Sequence, residues 1–390
     1  MTISALRAKL ASALKKGIVL CLAIAVAYQL AIALLGYLFD HNVNPNTGLL
    51  DHMTKWDGGW YTTITHDWYH SNRASAAFYP LYPLTVWVVS LFGLISTAFA
   101  ALIVNTLSLW AILIGLTKIT RYLIDDKYAY LPVIFILISP AAFFMHVFYT
   151  EAFFLAIGLL AYLAALHKRW VVMGILLALI TATRLPGILF VALCFLEFFR
   201  AYGWKLKDIF NKYLLTFLLA PLGFIAYSIY LYVMHKDWLG MFHAYNFTDD
   251  WPYQQFNLNI IETIARAAYQ VCRATIGLRP FDNDIFVNHL LSLLALAAIA
   301  LSSIYFLFFI KKKFIPIGIF GILAIIMFTL NNNLVSVHRY TLPMFGIYLC
   351  MTLVWVKFKK VRPLVVAGCV GSLLLQVFLF KHFVEVIFAG

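Results

Sequence analysis

Long apolar runs follow one another along almost the whole chain, each interrupted by a short polar piece. Many approach the ~20 residues that an α-helix needs to cross ~30 Å of hydrocarbon, and none alternates with the dyad period of a membrane barrel strand. The pattern predicts an all-α, polytopic membrane protein. Its first run, Gly17 to Phe39, follows Arg7, Lys9, Lys15 and Lys16. It is too long for a signal-peptide core and lacks a small-residue cleavage site, so it reads as a retained anchor.

The basic residues between runs set sidedness, because cytoplasmic loops collect Lys and Arg. With the N-terminus inside, residues 40–80 lie outside and Lys118 to Lys127 inside. One crossing fits between them, Thr97 to Leu116, and Leu84 to Ile95 becomes a short helix at the outer interface. Tyr130 to Phe148 then leads out, and Ala152 to Leu166 returns to the basic His167, Lys168 and Arg169. As a single helix, Trp170 to Phe199 would hold Arg184 near mid-membrane, at a cost of at least ~2.5 to 3.5 kcal/mol. A hairpin at Leu185–Pro186–Gly187 instead puts Arg184 at the outer mouth and keeps Lys311–Lys313 and Lys357 to Arg362 inside. The remaining crossings are Leu214 to Val233, Phe286 to Ile310, Phe314 to Leu330, Leu342 to Val356 and Leu364 to Phe380. The expectation is eleven crossings in one membrane domain over residues 1–390, with outer loops 40–80 and 235–284.

Composition agrees: 64% of residues are hydrophobic and 12% charged, against about a quarter charged in soluble domains. The net charge of +13 is spread over the short inner loops, which excludes nucleic acid as a partner. Of five cysteines, Cys21, Cys194, Cys350 and Cys369 sit in apolar runs and only Cys272 in a polar loop. That arrangement offers neither a disulfide framework nor metal-ligand spacing.

The topology, derived from lysines and arginines alone, brings five unusual pieces to the outer face. They are Asp57 in "KWDGGWY", "FYPLYP" at Phe78 to Pro83, "YTE" ending in Glu151, Arg184 in "TRLPG", and His338–Arg339–Tyr340. Singly, each has an ordinary explanation: a turn aspartate between interfacial tryptophans, a helix-start glutamate, snorkelling arginines, helix-breaking prolines. Two acids and two guanidiniums at one membrane surface make a candidate site.

In this order, "KWDGGWY", "FYPLYP", "SPAAFFMHVFYTEAFF", "TATRLPG" and "HRYTLP" resemble the PIG-V type mannosyltransferases, the GPI mannosyltransferase 2 family with its bacterial relatives. These belong to the GT-C class of membrane glycosyltransferases. The resemblance spans roughly Trp56 to Pro343, and its turn after Arg184 departs from the Asn-Gly form of the eukaryotic members. It implies a GT-C-type bundle with short interfacial helices in the first outer loop, in a bacterial plasma membrane, with an extracytoplasmic site. The implied donor is a polyprenyl-phosphate sugar, mannose by default, and the acceptor a lipid, glycan or protein hydroxyl. Asp57 matches the first-loop catalytic acid/base residue of the class.

Physical chemistry reaches a compatible assignment. Transfer to a hydroxyl needs a carboxylate to take its proton, and a leaving lipid phosphate needs fixed cations. Asp57 suits the first task, with Glu151 orienting hydroxyls; Arg184 and Arg339 suit the second. Gly58 and Gly59 would let backbone approach the sugar. Trp56, Trp60 and Tyr61 offer apolar faces, and Tyr79, Tyr82, Tyr149, His338 and Tyr340 complete the expected substrate-binding set. One base with direct displacement inverts the anomeric carbon, unlike the two-carboxylate covalent route. No cofactor is required by this pattern, no metal ligand is assigned, and a divalent cation is left open by a carboxylate pair of unknown separation. The competing class is a polyprenyl-lipid or small-solute transporter, whose ionisable groups would sit on broken helices near the midplane.

Overall fold

The computed structural model describes residues 3–247 and 256–389. Among these the chain is helical with no strand, and its one β-bridge joins Phe256 to Asn331. In chain order the helices are α1 (Ile3–Val43), α2 (Asp57–Asp67), α3 (Leu81–Val89), α4 (Thr97–Leu123), α5 (Leu131–Leu137), α6 (Glu151–Leu166), α7 (Trp170–Thr181) and α8 (Gly187–Ala201). There follow α9 (Leu206–Ile209), α10 (Leu222–His235), α11 (Gly240–His243), α12 (Ile260–Thr275), α13 (Ser292–Phe308), α14 (Ile315–Thr329), α15 (Gly346–Lys357) and α16 (Arg362–Val384).

Six helical stretches among the described residues are long and apolar enough to cross a membrane: Gly17–Val43, Thr97–Leu123, Lys212–His235, Ile285–Phe308, Lys312–Thr329 and Lys359–Val384. The other five expected crossings are shorter. Tyr130 to Phe148, expected as one span, is helical only over α5 and then breaks into a 3₁₀ turn at Ala142–Met145. The break falls at Ser139–Pro140, where proline disfavours helical backbone in the residue before it. Residues 170–201 divide into α7 and α8 around Arg184–Leu185–Pro186, so the arginine sits in a turn rather than inside a helix. At 16 residues, α6 rises about 24 Å, short of the bilayer core. It is buried along almost its whole length, so it is jacketed by protein instead of lipid.

Between helices in lipid there is little hydrophobic drive, and close backbone approach decides packing. Gly158 of α6 faces the ring of Phe190, and Gly223 of α10 faces the Ala178 carbonyl of α7; a methyl group at either would overlap its neighbour. The core is aromatic where α6 meets the 141–149 segment: Phe143, Phe144, Phe148 and Phe154 are all essentially inaccessible.

The loop after α1 carries short helices, as expected: a 3₁₀ turn at Asp51–Thr54, α2, another turn at Arg73–Ala77, and α3. The loop after α10 holds α11 and the amphipathic α12; its residues 248–255 lie outside the described residues.

Candidate active site

The starts of α2 and α6, the turn between α7 and α8, α11, the C-terminal end of α14 and the segment that follows it line a cavity of about 690 Å³. All five motif pieces contribute to it. Asp57, Glu151, Arg184 and Arg339 line it together with Trp56, Trp60, Tyr61, Tyr79, Tyr149 and Tyr340.

Four charges form one chain. Arg339 donates through Nη1 to Asp57 Oδ2 at 3.0 Å, and its Nε lies 3.1 Å from Glu151 Oε1, within ion-pair distance but without hydrogen-bond alignment. Arg184 Nη1 donates to the same Oε1 at 2.6 Å. Glu151 Oε2 is buried and has no hydrogen-bond partner among the described residues. Tyr340 lies between the cations, its ring centre 5.2 Å from each guanidinium carbon, and Phe144 and Tyr149 give Arg339 two more aromatic faces. Burial alone opposes both cationic charges. The neighbours prevail, chiefly Glu151 for Arg184, and Tyr340, Glu151 and Asp57 for Arg339, so both stay protonated with raised pKa.

Asp57 owes its position to unusual backbone. Trp56 just before it has φ 55° and ψ −127°, a conformation costly for an L-residue by about 1 to 3 kcal/mol. Flanking bonds hold it there: the Trp56 indole donates to Phe383 O at 3.2 Å, and Lys55 pairs with Asp40 at 2.6 Å and donates to Val384 O. Asp57 N then donates to Tyr149 Oη at 3.1 Å, leaving the phenol proton free to donate in turn.

A buried polar chain behind the cavity ties the two acid-bearing segments together. Gln29 Nε2 donates to Met145 O, which orients its amide so that Oε1 accepts from His146 Nδ1 at 2.5 Å. The remaining His146 nitrogen, Nε2, therefore accepts from His52 Nε2 at 3.0 Å. Asn105 donates to His146 O and Val147 O, and Phe148 N to Met53 O. His52 and His146 stand five residues before Asp57 and Glu151 respectively, so this chain fixes both acids from behind. Neither histidine was singled out by the sequence; two lone histidines, one in the outer loop and one in an apolar run, give no signal until the fold pairs them.

Four expected substrate-binding residues are absent from the cavity lining. Gly58 and Gly59 lie in the first turn of α2, and Gly58 packs against the Met53 carbonyl, where a Cβ would come within 2.6 Å. The glycine there permits a close backbone contact with Met53. Tyr82 is buried behind the site and donates to Asn105 Oδ1 at 2.8 Å. His338 is buried with its Nε2 2.8 Å from Ala389 O. The cavity gains residues the motifs did not indicate, among them Met241, Phe242, Asn331 and Phe388. Among the described residues no group of three or more His, Cys, Asp or Glu side chains gathers as a metal site.

No family model matches the chain, and no curated protein matches it in sequence. Solved structures do match in shape. ArnT from Cupriavidus metallidurans bound to undecaprenyl phosphate superposes with a TM-score of 0.56 at 13% identity, over 89% of this chain and 63% of ArnT. The oligosaccharyltransferase of Archaeoglobus fulgidus, in complex with zinc and sulfate, superposes with a TM-score of 0.52 at 16% identity, over 93% of this chain and 53% of its own. The chain shares a multi-pass helical membrane fold with these two proteins. The chain spans about half to two thirds of the length of these neighbours. At such identities the likeness is one of fold, and the chemistry rests on the side chains.

Proposed function

We propose that this protein transfers a hexose, mannose by its motif resemblance, from a polyprenyl-phosphate carrier to an acceptor hydroxyl at the extracytoplasmic face, with inversion. The observation that carries the reading is the four-charge chain Asp57–Arg339–Glu151–Arg184 in one cavity. Its two carboxylates and two guanidiniums balance before substrate arrives, and the reaction redistributes that balance. Asp57 takes the proton of the acceptor hydroxyl as the new C1–O bond forms and the C1–O(phosphate) bond breaks. The electron pair leaves with the phosphate. As Asp57 becomes neutral, Arg339 loses one of its two charged partners while the departing phosphate gains charge, so a partly released cation stands next to a new anion.

Arg184 is suited to hold the donor phosphate. A small apolar slot lined by Phe154, Leu189, Phe190, Phe328, Pro343 and Met344 adjoins Arg184, an apolar surface against which a hydrocarbon chain attached to that phosphate would lie. Glu151 Oε2, buried and without a hydrogen-bond partner among the described residues, keeps acceptor capacity that a sugar hydroxyl would use. The undecaprenyl phosphate bound to ArnT, a protein of the same fold, supports a polyprenyl carrier here. The test is release of labelled sugar from purified protein offered a panel of polyprenyl-phosphate hexoses: transfer or hydrolysis restricted to intact carrier supports the reading, and movement of unaltered lipid across vesicles without sugar release sinks it.

A further inference from the structure

Lys55 and Trp56 belong to the most distinctive motif, yet the chemistry above uses neither ammonium nor indole N–H. Both point to the end of α16, on Val384 O and Phe383 O. From there residues 385–389 turn back, with Val386 at φ 60°, and run beside the cavity. Two further side chains hold this strap: Asn283 Nδ2 donates to Phe388 O at 2.7 Å, and His338 Nε2 donates to Ala389 O at 2.8 Å. Lys55 and Trp56, which directly precede Asp57, thus hold the last residues of α16 from which the strap departs, and His338, which directly precedes Arg339, holds its far end. The strap presents Phe388 to the cavity, edge-to-face on Trp56 with ring centres 5.8 Å apart.

The cavity consequently has two unlike ends. Beyond Arg184 lies the apolar slot. Beside Asp57, at the other end of the charge chain, lies an aromatic corner next to a carboxylate that is 29% exposed. A corner of two rings beside a carboxylate matches a pyranose, which has apolar C–H faces and a hydroxyl rim. Resting on the glycosyl-transfer reading, we infer that the Trp56–Phe388 corner is the acceptor subsite, that it takes a glycoside whose hydroxyl meets Asp57, and that the strap 385–389 is its wall.

The experiment uses full-length protein with polyprenyl-phosphate mannose as donor, octyl α-D-mannoside as probe and water as the competing acceptor. The glycoside is read both as an acceptor and by its suppression of donor hydrolysis. Wild-type protein should show a saturable response to it in at least one reading. Phe388→Ala should raise the half-saturating glycoside concentration about tenfold, the scale of one lost aromatic contact, a larger factor than any change it makes in donor KM. Phe388→Trp should restore glycoside binding, and Asn283→Ala, which frees the strap without touching the cavity, should shift it in the same direction as Phe388→Ala. A Phe388→Ala effect on donor KM instead of the glycoside overturns the inference, as does an unchanged glycoside response or a wild type blind to the glycoside in both readings. Failure of the wild type to release any sugar from the donor overturns the glycosyl-transfer reading itself.

Discussion

Arg339 reaches across 282 residues of sequence to donate to Asp57 at 3.0 Å, and the same guanidinium lies 3.1 Å from Glu151. Neither acid is in a simple surface turn: one depends on a strained tryptophan and the other begins a buried helix. Their shared cation makes each acid's substitution separately informative.

Asp57→Asn keeps the size of the side chain and most of its hydrogen-bonding reach while removing the proton acceptor. Folding and donor binding should persist, and single-turnover transfer should fall by about 10² to 10⁴-fold, the usual general-base contribution. Glu151→Gln should instead weaken substrate orientation. If Asp57→Asn turns over like wild type while Glu151→Gln is dead, the base is Glu151.

Lysine keeps the charge of arginine but not its planar fork. Arg184→Lys should raise donor KM by about tenfold or more, the difference between a bidentate and a point-charge phosphate contact. Arg339→Lys cannot serve Asp57 and Glu151 at once, so it should lower kcat as well. Donor kinetics of both variants decide this; wild-type values in both would leave the arginines as structural ion-pair partners.

Sidedness can be read chemically in a cysteine-free background. Cysteines at Asn46 and Asn333 should react with an impermeant thiol reagent applied from outside, and cysteines at Lys311 and Lys359 should not. External labelling of the Lys311 loop reverses the assignment of the catalytic end.

The buried histidines make stability pH-dependent. Burial holds His338 and His52 down to about 4 from an ordinary 6.5; Arg339 also lowers the first and Lys55 the second, while Asp40 and Asp51 pull His52 back upward. Each is neutral in the folded state and protonates more readily when unfolded, so its contribution is complete above pH 6.5 and is lost as pH falls toward 4. Thermal midpoints across that window should drop, and His338→Gln, which keeps a donor for Ala389 O, should flatten part of the drop. An equally steep profile in His338→Gln assigns the dependence elsewhere.

The apolar runs and their basic punctuation were enough to find the long apolar helical segments and to gather five motifs at one end of the bundle, because hydrocarbon burial and loop charge are local properties of sequence. They did not reveal where spans shorten or break. Proline in "SPAAF" interrupts the third segment, and α6 stops short of a full span because neighbouring helices, not lipid, surround it. Tyr82 and His338 read as ligand-facing from their motifs, yet the structure turns them to Asn105 and Ala389; which way a side chain faces within a motif depends on what packs behind it.

Sequence by itself therefore determined the helical membrane class, the order of segments and the identity of the charged residues at one end, since each follows from the transfer energy of short stretches of chain. Only tertiary structure decided that one arginine would join two acids, that His52 and His146 would fix those acids from behind, and that Phe388 would close the cavity beside Trp56. Those contacts link residues from about ninety to over three hundred positions apart, and their geometry is set by helix packing, which no local pattern encodes.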